Sequence, residues 1–197
     1  MSTAGVILYG PPAAGKDTVT HALADLSPAY LHYQRIKVGT GRRKGYRFVT
    51  ATTLDQMRGD GQVIWENRAY GAVYAIDAPS IASALESGIP IVHVGQPGAV
   101  TALTHATPGA RWVSVDLWCP RETAAERLVG RGSTDIADRL AVWDSTPHLA
   151  EATIAIDTAT TGPAEAAQII HEAVQMRSQA PIKRQSCVDG STSSTYP

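Results

Sequence analysis

The stretch from Val6 to Thr18, read VILYGPPAAGKDT, limits what this chain can fold into more than any other. Apolar residues 6–9 predict a buried strand, and the glycines at 10 and 15 bracket only prolines and alanines, so a tight loop without bulky side chains follows. A helix is predicted to start near Lys16, with His21, Ala22, Leu23 and Leu26 on following turns. Such a loop aims several backbone N–H groups and a helix N-terminus at one point, which suits a polyphosphate. Lys16 then reaches the terminal phosphates, and a hydroxyl holds Mg²⁺. The pattern G-x-x-x-x-G-K-[S/T] is met with one departure: Asp17 stands in the Ser/Thr place and the hydroxyl comes at Thr18. An Asp beside bound phosphates is costly unless its carboxylate points away or helps to hold the metal through water, and the sequence leaves both arrangements open.

With 197 residues, 44% of them hydrophobic, the chain can bury one core and carry a small mobile insertion. A single domain over 1–177 is expected, followed by a polar tail over 178–197 with little structure of its own. The formal net charge of −1 gives no broad attraction to nucleic acid or anionic membranes, so any anion recognition must be local. No stretch approaches the roughly twenty apolar residues of a membrane span, and no signal peptide is expected ahead of the first strand. Cys119 and Cys187 lie far apart and out of metal-ligand spacing, which points to a reduced, cytoplasmic setting.

Further along, Tyr30 to Val38 reads as one strand leading into the basic loop Gly39-Thr40-Gly41-Arg42-Arg43-Lys44-Gly45-Tyr46. That loop is either a solvated turn or a clamp for an anionic group, since Arg forks match phosphate oxygens. A short strand over 46–50, a helix over about 53–58 and a strand over 63–68 precede Tyr70 to Ile76, read as a turn with two tyrosines that fill a core edge or bind a phosphate or a ring. Strands over 89–95, 110–118 and 153–157 alternate with helices over 80–87, 98–105, 120–129 and 162–176. The expected fold is α/β, a parallel sheet with helices on both faces, and ligands bind at the carboxyl ends of such strands. His93 and Asp116 fall inside strands, where a hydrogen-bonded core role outweighs catalysis. Arg127 and Arg131 flank Gly130, and Arg139 lies in the helical stretch that begins at Asp135, so this segment either swings over a bound nucleotide or carries ordinary surface arginines.

The order of these parts resembles the guanylate kinase family of P-loop nucleoside monophosphate kinases, from about residue 5 to residue 173. The resemblance rests on Gly-Lys-Asp-Thr at 15–18, Tyr-Arg-Phe-Val at 46–49, the segment from Tyr70 to Tyr74 and Arg127-Leu128-Val129-Gly130-Arg131-Gly132. The sister branch, ribose 1,5-bisphosphate phosphokinase, is similar too and has Asp after the loop lysine, as at Asp17 here. The resemblance implies a P-loop NTPase-type sheet, an acceptor-binding insertion over about 35–77 and a mobile lid over about 127–140. It implies ATP with Mg²⁺ as donor and a small phosphate-bearing acceptor. Gly10, Ala13, Ala14, Gly15, Lys16, Asp17 and Thr18 would bind ATP, with Thr18 on the metal and Asp17 acting through water. Lys16, Arg127, Arg131 and Arg139 would be catalytic. Arg42, Arg43, Tyr46 and Tyr74 would hold the acceptor phosphate, and Trp65 and Glu66 stand where the acceptor is read.

Departures concentrate on the acceptor side. The guanine-reading glutamate of the family falls on Trp65, with Glu66 beside it, and its Ser/Thr two residues after the tyrosine falls on Ile76. Its paired central-strand acids fall on His93 and Gly95. A one-residue slip moves a strand side chain to the other face, so Glu66 does not simply replace the missing acid. The expected activity is therefore ATP-dependent phosphoryl transfer to a nucleotide or small metabolite through a less polar pocket. A bisphosphokinase-like activity, a non-catalytic nucleotide-binding module and a hydrolase acting on ATP alone are the alternatives.

Overall fold

The computed structural model of the chain describes residues 3–41 and 43–179. Arg42 and residues 180–197 of the expected tail lie outside the described residues. In chain order the first elements are β1 (Thr3–Tyr9), α1 (Lys16–Leu26), β2 (Tyr30–His32), β3 (Arg35–Val38), β4 (Tyr46–Phe48), α2 (Ala51–Gly59), β5 (Val63–Ala69) and β6 (Ala72–Asp77). They are followed by α3 (Ala78–Ser87), β7 (Ile89–Val94), α4 (Pro97–Ala106), β8 (Ala110–Trp118), α5 (Arg121–Gly130), α6 (Ile136–Ser145), β9 (Ile154–Asp157) and α7 (Pro163–Gln179).

The apolar run at 6–9 lies in β1, the middle strand of a five-stranded sheet ordered β2-β7-β1-β8-β9 and parallel throughout. A middle strand is buried on both faces, which is why its sequence does not alternate with polar residues. Val6 and Leu8 pack with Leu23 of α1 and Ile170 of α7 on one face. Ile7 and Tyr9 pack with Ile81 of α3 and Leu103 of α4 on the other. Helices thus cover both faces, and the carboxyl ends of β1 and β7 open onto the loop at 10–15.

A second sheet, ordered β4-β3-β6-β5, is mixed: β3 and β4 run parallel, while β6 runs antiparallel to β3 and β5. Its back face carries Ile36 and Ala75 against Leu54 of α2. Two expectations are corrected here. Residues 30–38 are not one strand, because β2 pairs with β7 in the first sheet and β3 with β4 and β6 in the second. Tyr33 marks the change: its N–H reaches Ile91 O at 3.0 Å, and its hydroxyl donates to Asp77 Oδ1 at 3.1 Å. A period-2 pattern cannot show that the partner strand has changed. Residues 70–76 are likewise not a turn throughout. Only Tyr70 (φ 50°) and Gly71 (φ 69°) turn, joining β5 to β6 in a two-residue hairpin of the type that needs positive φ at both positions.

Candidate active site

Loop 10–15 is built by backbone geometry. Gly10 sits at φ 148°, and a Cβ there would stand 2.1 Å from Leu117 O of β8, so only glycine fits. Ala13 (φ 62°) and Gly15 (φ 91°) are left-handed, which turns successive N–H groups inward as an anion-binding concavity does. The loop is tied from behind. Arg127 at the end of α5 donates through Nη1 to Ala13 O (3.1 Å) and Thr158 Oγ1 (2.9 Å), and through Nη2 to Thr158 O (2.7 Å). Thr158 in turn donates to Ala14 O at 3.1 Å. Arg127 is therefore engaged with the loop, while Arg131 and Arg139 reach further into the cleft.

Lys16 folds back over the loop, with Nζ 2.7 Å from Gly10 O and 2.8 Å from Pro11 O. Burial, with Arg35 nearby, pushes its ammonium down to about 8. Asp17 turns toward β7, its Oδ1 standing 3.6 Å from His93 Nδ1. The other ring nitrogen of His93 lies 2.6 Å from Thr20 Oγ1, and the ring rests on His32 at 4.7 Å between centroids. The two departures at 17 and 93 thus face each other. This pairing draws the Asp17 carboxylate to one side of the anion cradle. Asp116 is structural, accepting from Leu149 N–H at 3.3 Å and standing 2.8 Å from His148 Nδ1. For a metal, the Thr18 hydroxyl and the Asp17 carboxylate are hard oxygen donors of the kind that suits Mg²⁺. Among the described residues no three His, Cys, Asp or Glu side chains stand together as a metal cage, so such an ion would arrive with a phosphate ligand.

In front of the loop lie two adjoining cavities of about 690 and 760 Å³. Lys16, Arg35, Tyr46, His93, Arg131 and Arg139 line both. The first extends along 12–19 and Thr158, and the second runs over the front face of the second sheet, past Lys37, Asn67 and Tyr74. Arg131 donates to Ser133 Oγ at 2.8 Å and Arg139 to Asp135 Oδ1 at 2.6 Å, while the Arg139 guanidinium also covers the Tyr70 ring at 4.8 Å. Four cations, Arg131 and Arg139, Arg35 of β3 and Lys16 at the start of α1, thus converge where the cavities meet.

No family model matches the chain, and no curated protein matches its sequence. Among solved structures, guanylate kinase from Anaplasma phagocytophilum aligns with a TM-score of 0.61 at 12% identity, covering 91% of this chain and 89% of that one. The protein APE1195 aligns with a TM-score of 0.50 at 13% identity, covering 89% of this chain and 97% of that one. The fold is that of guanylate kinase.

Within this guanylate kinase fold the expected acceptor residues separate. Tyr46 and Tyr74 stand on the cavity face with their rings 5.3 Å apart. Arg43 is exposed and covers Phe48 at 4.4 Å, outside both linings. Trp65 is also outside both linings: it packs into the second core against α4, so close that a Cβ on Gly98 would meet it at 2.8 Å. Glu66 points to the opposite face of β5 and takes Arg58 of α2 at 2.8 Å. Strand alternation is the reason, since adjacent residues of β5 cannot both face the cleft. Lys37, Asn67 and Thr158 escaped the sequence reading. For Lys37 a signal existed, because Arg35 and Lys37 two apart in a strand share a face.

Proposed function

We propose that this chain is an ATP-dependent phosphotransferase that moves the γ-phosphoryl group of ATP to a phosphate-bearing small molecule. The supporting observation is the meeting of Lys16, Arg35, Arg131 and Arg139 at the junction of a loop-lined and a sheet-lined cavity. Phosphoryl transfer needs in-line positioning and stabilisation of charge on the equatorial oxygens, and little proton chemistry, so convergent cations are the machinery required. Loop N–H groups and Lys16 would take the donor phosphates; Arg35, Tyr46 and Tyr74 would take the acceptor phosphate. Arg131 and Arg139 would exchange Ser133 and Asp135 for oxygens of the transferring group, while Arg127 keeps the loop in shape. Thr18, and Asp17 through water, would hold Mg²⁺, which supplies charge neutralisation on the donor phosphates. Such an enzyme works in the ATP-rich, reducing cytoplasm, a setting that suits the free, buried Cys119.

A second reading concerns the acceptor. Where guanine would be read, Trp65 is committed to Gly98 and Ile76 is fully buried, which supports an acceptor without a purine, including a ribose 1,5-bisphosphate-like compound. The test is ADP release with Mg²⁺·ATP against GMP, dGMP, other nucleoside monophosphates and sugar phosphates. Acceptor-dependent ADP release is expected, and Lys16→Ala should lower it by about 10²-fold or more. ADP release independent of any acceptor would indicate a hydrolase. Calorimetry showing no Mg²⁺·ATP binding would leave only a binding module.

A further inference from the structure

We infer that a row of three side chains across the second sheet, Lys37, Tyr74 and Asn67, reads the acceptor, and that the acceptor is a phosphorylated, hydroxyl-bearing compound whose non-reacting part is not a nucleobase. This rests on the phosphotransferase reading above.

The row follows from strand register. Lys37 of β3 stands opposite Phe48 of β4 and Tyr74 of β6, and Tyr74 stands opposite Asn67 of β5. Residues opposite each other share a face, and Lys37, Tyr74 and Asn67 all line the second cavity. In the neighbouring row Tyr46 faces Arg35 and Ile76 faces Trp65. The β5–β6 end of that row is closed by packing against α4, and Trp65, with its buried indole Nε1, and Ile76 lie outside both cavity linings. Polar function on this sheet therefore lies one row along, two residues forward in β3 and β5 and two residues back in the antiparallel β6.

Tyr74 serves the acceptor phosphate, and Lys37 and Asn67 on either side of it suit a hydroxyl. The Lys37 side chain is 3% exposed, and its ammonium lies 5.4 to 5.5 Å from the ring centres of Tyr46, Phe48 and Tyr74, which hold it in place as a donor. Burial pushes the Tyr74 phenol up, so it stays protonated and both donates and accepts. Asn67 Oδ1 is buried without a hydrogen-bond partner among the described residues, an arrangement that turning the amide toward a donor would relieve. One hydroxyl can accept from Lys37 and another can donate to Asn67. Adjacent strands are about 4.8 Å apart, so these two residues sit about 10 Å apart, the reach of a sugar with its phosphate. A planar base would need an open aromatic face to stack on. Here the faces are taken: Arg35 covers Tyr46 and Tyr74 at 5.9 and 5.3 Å, and Arg43 covers Phe48.

The test uses the full chain with ribose 5-phosphate and GMP as probes, which differ by the base, measured by calorimetry alongside Mg²⁺·ATP binding. Ribose 5-phosphate is expected to bind at least as tightly as GMP. Lys37→Met and Asn67→Leu should each weaken it tenfold or more and leave Mg²⁺·ATP binding within twofold. Lys37→Gln replaces Lys37→Met if that variant loses its folding transition. Tenfold tighter binding of GMP, no binding of ribose 5-phosphate, or variants that bind it like the parent would each overturn the inference. Binding that obeys these rules without ADP release with either probe would support the row while counting against the phosphotransferase reading.

Discussion

The loop side of the cleft, proposed above as the donor side, comes from one stretch, residues 10–18, held in shape by glycine conformations and by the braces from Arg127 and Thr158. The sheet side, proposed as the acceptor side, comes from strands spread over residues 35–77 and depends on three strand pairings being in register. The first kind of wall tolerates change in side chains but not in backbone; the second tolerates neither insertion nor slip, yet can be re-specified by exchanging single residues within a row. That difference teaches why a fold can keep its donor loop and alter its acceptor. Apart from Lys16, the loop offers N–H groups that every residue except proline possesses, whereas the sheet offers side chains alone.

The largest way to break this contrast is Arg127→Ala. It removes three hydrogen bonds behind the loop and is expected to lower stability by about 2–4 kcal/mol in denaturant unfolding and to weaken nucleotide binding with it. An unchanged midpoint would mean that the donor wall does not need its braces. Next comes Gly98→Ala, whose new methyl would stand 2.8 Å from Trp65 and so strain the acceptor wall, with an expected loss of about 1–3 kcal/mol. Adding Trp65→Phe should recover part of that loss if the clash is the cause.

A pH series sharpens the comparison further. Tyr9 at the end of β1 and Tyr30 on the edge strand β2 are each pushed up to about 12 by burial. A phenol whose pKa is higher folded than unfolded contributes its full stability below pH 10 and loses it as pH rises toward 12. Unfolding free energy should therefore drop by on the order of 1–3 kcal/mol across that window, read by denaturant titration with phenolate absorbance. A flat profile would contradict the burial. The smallest effect belongs to Glu66→Ala. Its partly exposed pair with Arg58 is worth less than about 1 kcal/mol, and acceptor binding should stay within twofold because Glu66 is on the far face.

Legibility in the sequence followed the same division. The strand, loop and helix over 3–26 could be read from local pattern, as could the helix ending at Gly88, because the causes lie within a few residues of the effects. The second sheet resisted. Whether Trp65 or Asn67 faces the cleft depends on which strands flank β5, and the change of sheet at Tyr33 leaves no mark in a run of β-forming residues. The contacts of Arg127 with Ala13 and Thr158, the latter 31 residues further along the chain, left no local signal in the sequence.

Lys16 rests on two carbonyls of its own loop, Arg131 on the Ser133 hydroxyl and Arg139 on the Asp135 carboxylate. Each of these cations therefore comes with a resident oxygen that competes for it. On the phosphotransferase reading, a phosphate entering the cleft would displace those oxygens, and a leaving product would be displaced by them in turn. That competition would lower affinity and hasten departure, because the replacement ligand is already tethered at the site. Each turnover would then be two exchanges of partner in which no cation is left bare.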